Sequence, residues 1–266
     1  MEDFLVKPGK RIDLRSVDPR CTGDYLSKDE ARHDFAVNYE RIGELEGRLF
    51  CEKKHALLIV LQGMDAGGKD GTIKHVVSAV SPSNCEITSF NVPAGEELDH
   101  DFLWRVYKRL PRRGTIGVFN RSHYEDVLAA RVRKIVPEQV WRRRYRQINT
   151  FERLVSDLGT KIVKIFLHIS KDEQRRRLEE RLHNPAKSWK YQPGDLEDRK
   201  HWGAYLDAYE DAFFHCNTQE CPWHIVPADK KWYRNLVVSQ LVVKALESIK
   251  PVLPRIAQPR KIRIPD

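Results

Sequence analysis

The chain has 266 residues, 41% of them apolar and 32% charged, with 47 Lys and Arg against 38 Asp and Glu for a formal net charge of +9. That length allows a substantial core and suits one α/β unit, and no apolar run approaches the roughly 20 residues needed to span a bilayer. The first seven residues lack the apolar centre of a signal peptide, so a cytoplasmic location away from membranes is expected, and the excess positive charge favours a polyanionic partner.

Residues 1–28 mix prolines with charges and read as an arm along the surface. Ser27 with Glu30 three positions later has the pattern of a capping box. It opens a helix to about Cys51, with Phe35, Ile42, Leu45 and Leu49 available to pack on a sheet. Residues 57–61 form a short apolar run of the kind found in buried parallel strands, and residues 74–80 read as the body of a helix. Residues 85–90 suit a second strand, 94–110 a helix ended by Pro111 and Gly114, and 115–120 a third strand. Helices are expected from about Ser122 and from Pro137, the latter with proline in its first turn. Then come a strand at 161–169, a charged helix at 171–183, an aromatic-rich helix at 198–214, a strand at 223–227 and a helix at 232–249. A basic, proline-containing tail begins at Pro251 and runs to residue 266. Strands alternating with helices predict a three-layer α/β/α sandwich around a parallel five-stranded sheet, with ligands at the C-terminal strand ends. Cys21, Cys51, Cys85, Cys216 and Cys221 contain no C-x-x-C pair and are odd in number, which favours reduced thiols.

Between the first strand and its helix stands Gly63-Met64-Asp65-Ala66-Gly67-Gly68-Lys69-Asp70-Gly71-Thr72. Gly63, Gly68 and Lys69 fit the G-x-x-x-x-G-K pattern of a phosphate-binding loop. Glycines let backbone N–H groups converge on an anion, the helix start adds partial positive charge, and a lysine reaches the outer phosphates. Gly63, Ala66, Gly67, Gly68, Lys69, Asp70, Gly71 and Thr72 are therefore the phosphate-binding candidates. Two acids break the pattern. Asp70 replaces the usual Ser or Thr that holds magnesium, and Asp65 lies inside the loop, where anion binding alone would exclude a carboxylate. Both are explained if the metal duty has passed to a carboxylate, Asp65, bridging through Mg²⁺ to phosphate. A tight strand-to-helix turn with exposed acids is the plainer alternative.

The third strand ends in Asn120-Arg121-Ser122-His123-Tyr124-Glu125-Asp126. With a helix from Ser122, Arg121 stands one turn from Glu125 and Ser122 one turn from Asp126. Asn120, Glu125 and Asp126 are then placed to position a nucleotide or its metal, and an ordinary capped helix start is the competing reading. Between residues 171 and 211 basic groups are dense, among them Arg177, Arg181, Lys187 and Lys190. Arg177 and Arg181 share a helix face, and Asn184-Pro185 with Pro193-Gly194 would let the segment hinge as a flap over phosphates. Trp189, Tyr191, Trp202, Tyr205 and Tyr209 could stack on a base, although such stripes are more often packing surface.

These motifs together resemble the family-2 polyphosphate kinases, over nearly the whole chain except its extreme ends. The loop at 63–71, the segment 120–126, the stretches Leu167-His168-Ile169-Ser170, Lys187-Ser188-Trp189-Lys190 and Gly194-Asp195-Leu196-Glu197-Asp198-Arg199, and the run 228–234 carry the likeness. Asn120 with Glu125 and Asp126 is similar to the third subclass, which accepts nucleoside mono- and diphosphates. The resemblance implies one P-loop kinase domain with a helical lid at 171–211, moving phosphoryl groups between inorganic polyphosphate and nucleotides with Mg²⁺, for which Mn²⁺ can substitute. It implies metal binding by Asp65, a grip on the transferred group by Lys69 and Arg121, closure by Arg177 and Arg181, and a nucleotide or second-metal role for Glu125 and Asp126. Another branch of the family carries an aspartate where this chain has Asn120, so the resemblance implies no metal role at that position. A homo-oligomer is expected, and nucleic acid is not. The alternatives are an ATP-dependent nucleotide kinase and a non-catalytic polyanion-binding module.

Overall fold

The computed structural model describes residues 4–254, so the expected basic tail falls almost wholly outside the described residues. The described strands are Ala56–Gly63 (β1), Cys85–Ser89 (β2), Ile116–Asn120 (β3), Thr160–His168 (β4) and Trp223–Pro227 (β5). They form one sheet in the order β2-β3-β1-β4-β5, and every pairing is parallel. β1 is buried at all eight of its residues. A central strand covered on both faces has no polar side to offer water, which is why its sequence is apolar without alternation.

The described α-helices are Ala31–Glu52 (α1), Lys69–Val77 (α2), Trp104–Tyr107 (α3), Ala129–Val132 (α4), Glu138–Asp157 (α5), Lys171–His183 (α6), Pro193–Lys200 (α7), Trp202–His215 (α8) and Lys231–Ile249 (α9). Successive side chains of a strand point to opposite faces. On β4, Lys164 and Phe166 therefore meet α5 and α8 on one side, through Glu152 and through Tyr209 and Phe213. Val163, Ile165 and Leu167 turn to the other side, which α9 covers with α1 alongside it. The expected three layers are present.

Several local expectations are corrected. Residues 94–110 are not one helix: a 3-10 turn at Gly95–Leu98 and the short α3 replace it. The chain bends because buried Arg105 is tied back to the Asn91 carbonyl at 2.8 Å and to Glu97 at 3.1 Å. No α-helix starts at Ser122 either. Its hydroxyl caps a 3-10 turn, His123–Asp126, by accepting from the Tyr124 N–H at 3.2 Å, and α4 follows separately. The aromatic helix divides at His201 into α7 and α8, and Pro193 and Gly194 form the first turn of α7. Helix α1 begins at Ala31, with Ser27 accepting from the Glu30 N–H at 3.3 Å just before it.

All strands point their C-terminal ends the same way, so Gly63, Asn120, the residues after His168 and those after Pro227 gather at one edge. The chain passes from β3 across β1 to β4, and the break between β1 and its neighbours is where an α/β sheet opens a crevice. Residues 5–15 lie along β5 and α8: Val6 N–H donates to the Trp223 carbonyl at 2.9 Å, and Arg15 pairs with Asp207 at 2.7 Å and Glu210 at 3.3 Å.

Candidate active site

The loop after β1 turns back on itself, with the Gly67 N–H donating to the Met64 carbonyl at 2.9 Å. Gly68 sits at φ +99°, a conformation that L side chains rarely adopt, and immediately precedes the first residue of α2, Lys69. The positive end of α2 thus faces the loop's concave side. Lys69 is buried, and its Nζ donates to the carbonyls of Gly63 at 2.7 Å and Met64 at 3.3 Å. Burial and the nearby Arg121 push its pKa down, against the pull of Asp65, Glu125 and Asp70. Thr72 differs from the expectation. Its hydroxyl donates to the Gly68 carbonyl at 3.1 Å inside the helix, and it does not line the cavity in front of the loop.

Asp65 accepts a hydrogen bond from Nη2 of Arg121 at 2.5 Å. Burial works against the Asp65 carboxylate, but the charges of Lys69 and Arg121 outweigh it and hold the pKa below the usual range. The Arg121 cation is opposed by burial and secured by Glu125 and Asp65. Ala66 and Arg121 both hold left-handed backbone, at φ +60° and +61°. Each costs on the order of 1–2 kcal/mol for a non-glycine residue; one follows Asp65 and the other is Arg121 itself, so both sit at the Asp65–Arg121 contact. Glu125 is pushed up in pKa chiefly by burial, despite Arg121 and Lys69 nearby. Asp126 is likewise raised by burial and turns to Arg144, whose Nη1 donates to its carboxylate at 3.0 Å. Asn120 donates to Asp70 at 2.8 Å, joining the ends of β3 and the loop.

Asp65, Lys69, Arg121 and Glu125 therefore form one cluster, and the basic residues of α6 behave differently from one another. Arg177 is buried under the loop: its guanidinium donates to the carbonyls of Ala66 and Gly67 at 3.0 Å each and of Ala228 at 2.6 Å, and to Glu173 at 2.6 Å. It is a tie between α6, the loop and the segment after β5. Arg181 pairs with Asp195 of α7 at 2.8 Å, and Lys187 pairs with Glu180. Trp189 is 76% exposed, whereas Tyr205 and Tyr209 are buried.

Two cavities open side by side. One, of about 470 Å³, is polar and lined by the loop from Asp65 to Gly71 with Asn120, Arg181, Lys187, Lys190, Lys231 and Arg234. The other, of about 280 Å³, is more apolar and is walled by Phe102, Ala130, Val136 and Tyr205, with Glu125, Asp126 and Arg144 among its polar groups. Asp65, Arg121, Phe90 and Asn91 line both. A polar compartment for phosphates thus meets a compartment suited to a flat apolar group, and the shared wall holds a carboxylate and a guanidinium.

Sequence reasoning left several participants unassigned. Gln174 donates to the Asp65 carbonyl at 3.0 Å, and Asp198 faces the Asp65 carboxylate while binding Arg133 and, at 2.9 Å, the Tyr205 hydroxyl. Arg234 enters the polar cavity from α9. Only the position of Asp198 and Arg234 inside family-like stretches marked them, and nothing local marked Gln174.

The model of the family Polyphosphate kinase 2 (PPK2) matches residues 25–253. The chain is 49% identical over 256 residues to the AMP/ADP-polyphosphate phosphotransferase of Meiothermus ruber, covering 96% of each. It is 41% identical to the ADP-polyphosphate phosphotransferase of Rhodopseudomonas palustris, over 98% of this chain and 94% of that one. The crystal structure of Polyphosphate Kinase 2 from Arthrobacter aurescens TC1 is 42% identical and superposes with a TM-score of 0.89, covering 95% of this chain and 94% of that chain. A loop built for phosphate, a second compartment beside it and likeness along nearly the full length agree: the chain belongs to the polyphosphate kinase 2 family.

Proposed function

We propose that this protein transfers phosphoryl groups between inorganic polyphosphate and nucleotides, converting AMP to ADP and ADP to ATP, and guanine nucleotides by the same route. The observation that supports this most is the meeting of the polar and apolar cavities at Asp65 and Arg121. The polyphosphate end fits the loop cavity, and the nucleotide fits the neighbouring one with its phosphate toward Arg121. The family likeness supports the same pair of substrates.

The attacking atom is a phosphate oxygen of the nucleotide, already ionised at neutral pH, so no protein base has to remove a proton. It bonds to the terminal phosphorus of polyphosphate as the bond to the next bridging oxygen breaks, and the electron pair leaves with a chain one unit shorter. Positioning and neutralisation of spreading negative charge then dominate. Lys69 and the loop N–H groups hold the donor end. Arg121, released from Asp65, spans donor and acceptor oxygens, while Arg177 keeps the loop carbonyls turned away from the substrate.

The donor set fits a magnesium ion. Asp65 is held ionised by Lys69 and Arg121 and lies where both compartments reach it, and Mg²⁺ typically takes one or two carboxylates and fills its remaining positions with phosphate oxygens and water. Asp65 would hold the ion, with Mn²⁺ as a substitute, and a bound ion supplies neutralisation of phosphate charge. The segment 171–211 is the lid in this reading, with Arg181, paired with Asp195, and Lys190 closing over the donor from the cavity wall that both line. Assembly into a homo-oligomer belongs to the same proposal, supported by the exposed Val140 and Leu154 of α5 and Leu158 just past its end.

Incubation with AMP, Mg²⁺ and polyphosphate, without ATP, is expected to yield ADP and then ATP. ADP formed only when ATP replaces polyphosphate would instead establish an ATP-dependent nucleotide kinase. Salt-sensitive polyanion binding without any nucleotide product would indicate a binding module.

A further inference from the structure

Arg234 is an unusual cation. It is 2% exposed and lies one turn into α9, whose start faces the phosphate loop. Its guanidinium presses on the first turn of α2: a Cβ at Gly68 would fall 2.0 Å from Nη1, and one at Gly71 would fall 3.3 Å from Nη2. The hydrogen bonds it donates go to a neutral acceptor, the Asn235 side-chain oxygen, from Nε at 3.1 Å and Nη2 at 2.8 Å. No carboxylate pairs with it among the described residues, and Nη1 has no hydrogen bond there.

Its surroundings add positive charge instead of removing it. The partial positive end of α2 lies against it, and Arg177 is its neighbour below Gly68. Arg177 differs in being satisfied, with loop carbonyls and Glu173 taking its donors. Burial and Arg177 together push the Arg234 pKa down to about 10. A buried, unpaired charge is costly, and its persistence beside a ligand cavity is explained when the ligand carries the missing countercharge.

We infer that Arg234 is a phosphate ligand of the donor subsite, contributed by the C-terminal helix, and that its Nη1 binds a polyphosphate unit seated in front of Gly68 and Gly71. The inference rests on the proposed polyphosphate reading of the polar cavity and deepens it. Recognition there combines loop N–H groups with a guanidinium whose charge no carboxylate among the described residues neutralises. Loss of one charge-assisted contact of this kind weakens phosphate binding by about tenfold or more.

The test compares wild type, Arg234→Met and Arg234→Lys by thermal unfolding, with and without tripolyphosphate, and by steady-state kinetics with polyphosphate and AMP. The expected result for Arg234→Met is a free protein at least as stable as wild type, because an unpaired buried charge has gone. Its stabilisation by tripolyphosphate should be largely lost, with KM for polyphosphate up about tenfold and KM for AMP within about twofold. Arg234→Lys should retain part of the stabilisation. Equal stabilisation of wild type and Arg234→Met, or of wild type and Arg234→Lys if the Met variant does not fold, with unchanged KM for polyphosphate, overturns the inference alone. A wild type that tripolyphosphate does not stabilise overturns the donor reading itself.

Discussion

Asp65 and Arg121 face each other across the boundary between two cavities, and at the scale of single residues the proposed chemistry rests on this pair. The contact is short, at 2.5 Å, and joins the loop after β1 to the end of β3. Asp65→Asn removes the negative charge while keeping the shape, so the fold should persist and turnover should fall by about a hundredfold or more, because charge neutralisation at phosphate is the main catalytic resource. Lys69→Ala should have a similar effect through the donor phosphates. Initial rates with polyphosphate and AMP, beside circular dichroism to verify folding, check both; rates near wild type in either variant would remove that residue from the mechanism. The loop was legible in the sequence because glycines, lysine and the misplaced acid are all local features. Arg177 was legible as a basic residue but not as a buried tie, since its partners at residues 66, 67, 228 and 229 are distant in sequence.

At the scale of elements, the segment 121–126 is held from behind by a buried polar hub. Lys164 of β4 is fully buried, and its Nζ donates to Glu152 of α5 at 2.7 Å, to the Tyr124 hydroxyl at 2.9 Å and to the Cys216 carbonyl at 2.6 Å. Glu152 also accepts from the Tyr124 hydroxyl at 2.8 Å and lies 3.2 Å from the His123 ring. The hub thus locks the 3-10 turn that carries Glu125 and Asp126. Lys164→Met alone should cost about 3–5 kcal/mol by leaving Glu152 buried without its cation, and adding Glu152→Leu should recover much of that loss. Urea unfolding of the single and double variants measures both, and equal stability of Lys164→Met and wild type would contradict the hub. This level is where sequence reading met its limits. Periodicity located the strands and α5, α6 and α9, because their apolar or charge patterns run over many residues. It failed at 94–110 and at 122, where Arg105 and the Ser122 cap bend the chain through contacts that periodicity does not encode.

On the scale of the whole molecule, the parallel sheet brings to one edge groups that arrive from β1, β3, α6 and α9, and the +9 charge suits the polyanion proposed to bind there. No helix among the described residues is long and apolar enough to cross a membrane. The fold was readable from strand–helix alternation, whereas the division into two compartments was not, because it depends on how α3, α4 and α8 close around Tyr205 and Phe102. The central claim is that donor and acceptor occupy those separate compartments and meet at Asp65 and Arg121. The most direct measurement is a crystal structure with Mg²⁺, AMP and a non-transferable tripolyphosphate analogue. The account predicts the analogue's terminal phosphate in front of Gly68, the AMP phosphate beside Glu125, and Arg121 between them; both ligands in one compartment, or Asp65 remote from either phosphate, would contradict it.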